Sequence, residues 1–191
     1  MTVSDLCSST TPPTDAQLDA ALLTCVMEIH LSLQVKVRGY TDAILAGVKT
    51  RVPTIVDEAV AALTTKHPGA ASSKVTAIEM AFNFGIRDLT AAVPKLIGAG
   101  VNQRVMGRLL EIETSYLNEE KKAEIRTAIR AAKNTHPTAD AVKPLVLKSV
   151  QSIDRVIVSM IPEMTDIAAG DLKNVVFQKM EVMLSTTLAD I

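Results

Sequence analysis

Tryptophan is absent from this 191-residue chain, and other aromatics are scarce, with 3 Phe and 2 Tyr. Readers of single-stranded nucleic acid stack bases on Phe, Tyr or Trp, so the shortage argues against that class. Charge of one sign is lacking too. Twenty basic side chains stand against 21 acidic ones, which leaves no electrostatic footprint for a polyanion, and no nucleic-acid partner is expected. Cysteine occurs twice and histidine three times, but H-E-x-x-H, E-x-x-H and C-x-x-C are all missing. Zinc and di-iron bundle sites thereby lose their usual ligand spacing. No G-x-S-x-G, P-loop or dinucleotide fingerprint occurs, and Cys25 and His30 are poorly spaced for a nucleophile–base pair on one helix. These absences predict a non-enzyme with no metal and no cofactor. A long uninterrupted apolar run is missing as well, so no transmembrane segment is expected.

What the chain does hold is a high aliphatic content. It is 48% hydrophobic and 21% charged, with 8 Met, which suits a folded helical core built from aliphatic and Met side chains. The length fits one all-α domain over 1–191. A pattern recurs along it: Ala46-Gly47-Val48 through Arg51-Val52 returns as Ala99-Gly100-Val101 through Arg104-Val105, and more faintly from Ala169-Gly170 to Val175. His67-Pro68 returns as His136-Pro137, and Leu110-Glu111-Ile112 matches Met180-Glu181-Val182 at nearly the same spacing. We read an antiparallel helical bundle of about three tandem hairpin units, 13–66, 67–135 and 136–191, after an N-terminal arm 1–12. Each unit is expected to hold a proline-marked entry, a long helix, an Ala-Gly break and a return helix. A hairpin cannot bury its apolar face alone, whereas stacked neighbours can.

Local signals place the helices. Thr14-Asp15-Ala16-Gln17 has the form of a capping box. The stripe Leu18, Leu22, Val26, Ile29, Leu33, Val37, Tyr40, Ile44 follows at spacings of 3 and 4, with Gly39 as its weak point. Alternation over 29–38 resembles a strand, yet no second alternating run exists to pair with it. Pro53 marks the start of a return helix, and Lys66-His67-Pro68-Gly69 breaks the chain. A second long helix is expected from about Ser72, with Pro94 kinking or ending it. Asn118-Glu119-Glu120 reads as a further helix start, and Pro162 interrupts the last unit.

Few side chains suggest chemistry. His67 and His136 each precede proline and read as turn residues. Glu28, Glu79, Glu111 and Glu181, each between apolar neighbours, read as polar residues turned to solvent rather than a convergent carboxylate cluster. Lys122, Arg126, Arg130 and Lys133 form a basic stripe, either a solvated helix face or a strip for anionic headgroups. Cys7 and Cys25 are expected to form a disulfide that ties the Ser/Thr/Pro-rich arm to the first helix, contributing about 3 kcal/mol in the loop-entropy model. The arm reads as the start of a mature secreted chain whose signal peptide has been removed.

Residues 72–82, Ser-Ser-Lys-Val-Thr-Ala-Ile-Glu-Met-Ala-Phe, resemble a helix of the spidroin N-terminal domain, a secreted helical assembly module. The likeness covers about a tenth of the chain, and that family's core tryptophan is absent. It implies helix and a capacity for assembly. Three functions follow from the whole reading. The first is a secreted carrier holding a hydrophobic small molecule or lipid between amphipathic helices, lined by Leu22, Val26, Phe82, Ile86, Val150 and Ile153. The second is an extracellular structural protein that self-assembles as a homo-oligomer. The third is an intracellular helical-repeat scaffold with free thiols.

Overall fold

In the computed structural model, which describes residues 14–135 and 143–189, every regular element is helical. The order is α1 (Asp15–Gln34), α2 (Val37–Thr50), α3 (Val52–Lys66), α4 (Ser72–Phe84), α5 (Ile86–Tyr116), α6 (Glu119–Thr135) and α7 (Lys143–Ala189). The all-α expectation holds. The arm 1–12, with Cys7, and His136 lie outside the described residues.

The helix starts follow the chemistry read from the chain. Thr14 Oγ1 accepts from the Gln17 N–H at 3.3 Å, and the Thr14 N–H donates to Gln17 Oε1 at 2.9 Å, completing the capping box. Asn118 Oδ1 accepts from the Lys121 N–H at 2.9 Å ahead of α6. Pro53 sits in the first turn of α3, where its missing N–H leaves no bond unmade. The break after Lys66 appears as expected. The interruption between α1 and α2 falls at Val35-Lys36 rather than at Gly39, which is helical.

Of the two outcomes expected at Pro94, a kink or an end, the end is excluded, and Pro162 does not break its helix either. Pro94 lies inside α5 and Pro162 inside α7. An interior proline costs about 3 kcal/mol. Burial of flanking side chains on one face offsets it: Val93, Ile97 and Val101 in α5, and Ile157, Met164 and Ala168 in α7, are all buried. The three Ala-Gly pairs are not breaks either. Ala46-Gly47, Ala99-Gly100 and Ala169-Gly170 lie within α2, α5 and α7, and no glycine among the described residues has a positive φ.

The chain divides into two compact units. In the first, Met1–Arg38 with Val105–Ser159, α1 runs antiparallel to α6 and the end of α5. Asp15 pairs with Arg130 at 2.9 Å, Asp19 with Arg126 at 2.6 Å, and His30 with Glu113 at 3.0 Å. The first half of α7 adds a fourth helix, with Lys36 2.9 Å from Asp154. Leu18, Ile29, Leu33, Leu109, Ile125, Ile153 and Ile157 fill the core.

The second unit is Gly39–Arg104 with Met160–Ile191. Here α2 lies antiparallel to α5, with the Asn102 amide donating to Thr41 Oγ1 at 3.4 Å and Leu45 packed near Gly98. Along α7 the order is Gly47 beside Thr165, Arg51 bound to Asp166, Glu58 to Lys173 and Lys66 to Glu181. α2 and α3 therefore travel the same way along α7, and α3 does not fold back on α2 as a return helix would. The local break at Arg51 leaves the buried row intact: Val48, Val52, Val56, Ala59 and Leu63 continue at helical spacing.

One stretch, Asp15–Thr50, is long and apolar enough to cross a membrane by length and composition, with an 18-residue window of mean hydropathy 1.4. Length and composition are the whole of that likeness to a membrane span. The sequence reading sought an unbroken run, whereas a window average tolerates interspersed polar residues. A third of that window, 33%, is buried. Its hydropathy comes from two faces of α1. Leu18, Leu22, Cys25, Ile29 and Leu33 are buried, while Leu23, Met27, Leu31 and Val35 face solvent.

Candidate functional site

α7 carries two adjacent rows of apolar side chains. Leu172, Val176, Met180 and Leu184, at steps of four, are buried in the second unit. One residue back, Val175, Lys179 and Met183 form a parallel row, flanked by Gln178 and Val182. Spacings of 3, 4 and 7 put all five on one helix face. That face and Phe82 of α4 bound a groove of about 480 Å³. Val182 is 62% exposed, Phe82 is half-buried, and Phe84 beyond it is 84% exposed. The walls are apolar, with Lys179 and Gln178 the polar members.

A cluster of charges stands one residue from this face. The Glu181 carboxylate lies 2.8 Å from Lys66 Nζ and 2.9 Å from His67 Nε2. Hydrogen bonding to Lys66, and next to His67, holds its carboxyl below the usual carboxylate range. Lys66 also sits over the Phe177 ring, 5.2 Å from its centroid. The end of α3 is thereby fastened to α7. His67 keeps its expected place at the turn, since its backbone N–H bonds the Leu63 carbonyl, and adds the Nε2 contact with Glu181.

The first unit has a cleft of about 660 Å³, bordered by Glu111, Ile112, Tyr116, Lys121, Glu124 and Val156 among others. It is more polar, and its charges are largely satisfied. Arg108 binds Glu111 at 2.9 Å and Lys121 binds Glu124 at 2.5 Å. Burial raises the Tyr116 hydroxyl pKa, but the neighbouring Ser152 and Ser149 hydroxyls and the nearby Lys121 outweigh it and leave the group below its ordinary value.

The six residues expected to line one cavity are distributed otherwise. Leu22, Val26, Val150 and Ile153 belong to the first unit, where Leu22, Val150 and Ile153 are buried in the core and Val26 is half-buried. Phe82 and Ile86 belong to the second, and of the six Phe82 alone borders the groove. Val175, Lys179, Val182 and Met183 were missed. The signal was present as a second amphipathic row on the last helix, overshadowed by the stronger core row beside it.

Other candidates resolve into structure. Arg126 and Arg130 of the basic stripe bind Asp19 and Asp15 on α1, and Lys122 binds Glu119 at 2.8 Å. The Lys133 side chain lies outside the described residues. The four glutamates do not converge: Glu28 and Glu111 are in the first unit, Glu79 and Glu181 in the second. Among the described residues no three His, Cys, Asp or Glu side chains gather to hold a metal ion. Cys25 is a buried free thiol there, 1% exposed, and its expected partner Cys7 lies outside the described residues. Burial, with the nearby Glu28 charge, pushes this thiol up to about 11. Comparison of the chain with family models, with curated proteins and with solved structures returns no match.

Proposed function

We propose that the chain is a secreted, non-enzymatic helical protein that carries a hydrophobic small molecule or lipid, held in the groove between Phe82 of α4 and the Val175–Met183 face of α7. The observation that carries this reading is the groove itself. Its volume of about 480 Å³ falls in the range of small-molecule sites, and its walls are apolar with two polar side chains at hand. The recurring sequence units are, in this reading, copies of one amphipathic helical segment. Secretion rests on the composition of the arm and on the Cys7–Cys25 pair. Native mass spectrometry of protein made in an oxidising host, before and after organic extraction, tests the proposal. A mass excess lost on extraction supports the carrier. A clean apo mass sinks it.

A second reading, self-assembly, draws support from α1. Leu23, Met27, Leu31 and Val35 are 61%, 55%, 60% and 82% exposed and fall at steps of four. Such a row is one of the ridges by which helices interlock, and a second copy of the same helix offers the matching groove. Sedimentation of the intact chain and of Leu31→Lys separates the two readings. A concentration-dependent oligomer lost on substitution favours assembly, and a monomer in both leaves the carrier alone.

A further inference from the structure

We infer that the groove of the second unit selects an anionic single-chain amphiphile, a long-chain carboxylate whose headgroup rests on the Lys179 ammonium while its tail lies along Phe82, Val175, Val182 and Met183. The inference rests on the carrier reading and names its ligand. The groove's charge points there. Its lining holds one ionisable side chain, Lys179, and no carboxylate. Every other cation considered along α7 in this unit is matched: Lys66 by Glu181, Lys173 by Glu58, Arg51 by Asp166 and Arg104 by Asp171. Lys179 has no hydrogen bond or ion pair among the described residues, and the nearby acid, Glu181, is already held by Lys66 and His67.

Position matters as much as charge. Lys179 is one turn from Val175 and one turn from Met183, so its aliphatic stem continues the apolar row while the ammonium reaches the groove's edge. A neutral hydrocarbon would leave that cation without a partner, and a cationic amphiphile would be repelled. A carboxylate supplies a charge-assisted hydrogen bond to it, and the Gln178 amide stands beside as a second donor. Lys179 is exposed, so the contact lies at the groove's open edge and is screened by solvent.

The test is calorimetric titration of the delipidated full chain with hexadecanoate and with hexadecanol, each below its aggregation threshold, in the intact protein, Lys179→Gln and Val182→Asp. Hexadecanoate should bind about threefold more tightly than the alcohol. Lys179→Gln should erase that preference by bringing hexadecanoate down to the alcohol's level, and Val182→Asp should weaken both ligands while the helical circular dichroism persists. Equal affinities for acid and alcohol, or a preference that survives Lys179→Gln, overturns the headgroup assignment and leaves the carrier standing. Binding of both ligands untouched by Val182→Asp removes the groove as the site. No binding of either ligand overturns the carrier reading and this inference with it.

Discussion

Gly47 faces Thr165 so closely that a Cβ on the glycine would lie 2.8 Å from Thr165 Cγ2. Thr165 has little freedom to yield, since it is 5% exposed and its Oγ1 donates to the Ile161 carbonyl at 2.8 Å. The same Ala-Gly pair at 99–100 and at 169–170 meets nothing within 4 Å of a built Cβ. Identical dipeptides thus serve a close helix contact in one place and sit in open space in the others. Gly47→Ala is expected to destabilise the protein by about 1 kcal/mol, because the clash outweighs the helix-propensity gain. Gly100→Ala should instead stabilise it by about 0.5–1 kcal/mol. Chemical denaturation of both variants checks the pair, and a shift of the same sign in each would contradict this reading of the contact.

Ile153 was expected to line a ligand cavity, and it is fully buried in the first unit. Ile153→Ala should therefore cost about 2–5 kcal/mol of stability, as a core truncation does, without changing ligand affinity in the folded protein. Val182→Asp, at an exposed position, should do the reverse. Unfolding curves paired with ligand titrations distinguish the two, and weakened binding in folded Ile153→Ala would return that residue to the site.

The Glu181 contacts carry a pH dependence whose sign is set by the lowered carboxyl pKa. The stabilisation is present above the unfolded value near 4.5 and is lost as pH falls through the lower folded one. Glu181→Gln should flatten the acid limb of a plot of Tm against pH and leave a small, nearly pH-independent loss near neutrality. Parallel acid limbs for the two proteins would show that Lys66 and His67 give Glu181 no net stabilisation.

Cys25, buried and with its thiol raised to about 11, should not react with a thiol reagent in the native protein at neutral pH. Denaturation without reductant then counts free thiols. None means that Cys7 and Cys25 are joined, as the secreted reading requires; two means that the arm is not tied, and that support for secretion falls away.

The helices were legible along the chain because their causes are local. The Thr14–Gln17 capping box, the Asn118 cap and the 3- and 4-residue spacing of Leu18, Leu22, Ile29 and Leu33 act within one or two turns, and each appears in the structure as read. Prolines 94 and 162 do not end their helices, for the complementary reason. Their local penalty is real, and burial of Val93, Ile97, Ile157 and Met164 offsets it, but that burial depends on helices distant in sequence. The groove was half-legible. Phe82 stood out as a rare aromatic, whereas Val175, Lys179 and Val182 took their meaning from facing it.

Backbone conformation in this protein follows from short-range sequence: period, caps and the break after Lys66 are enough to make it all-α. Direction and partnership do not follow, because they depend on charges and apolar rows meeting across long separations. That α3 continues along α7 instead of returning on α2 is set by the buried row Val48, Val52, Val56, Ala59 and Leu63, with Arg51 meeting Asp166, Glu58 meeting Lys173 and Lys66 meeting Glu181 along its exposed edge. The pairing of Glu113 with His30 and the placement of Lys179 beside the groove are of the same kind. Each is a property of which helix face lies opposite, and packing alone decides that.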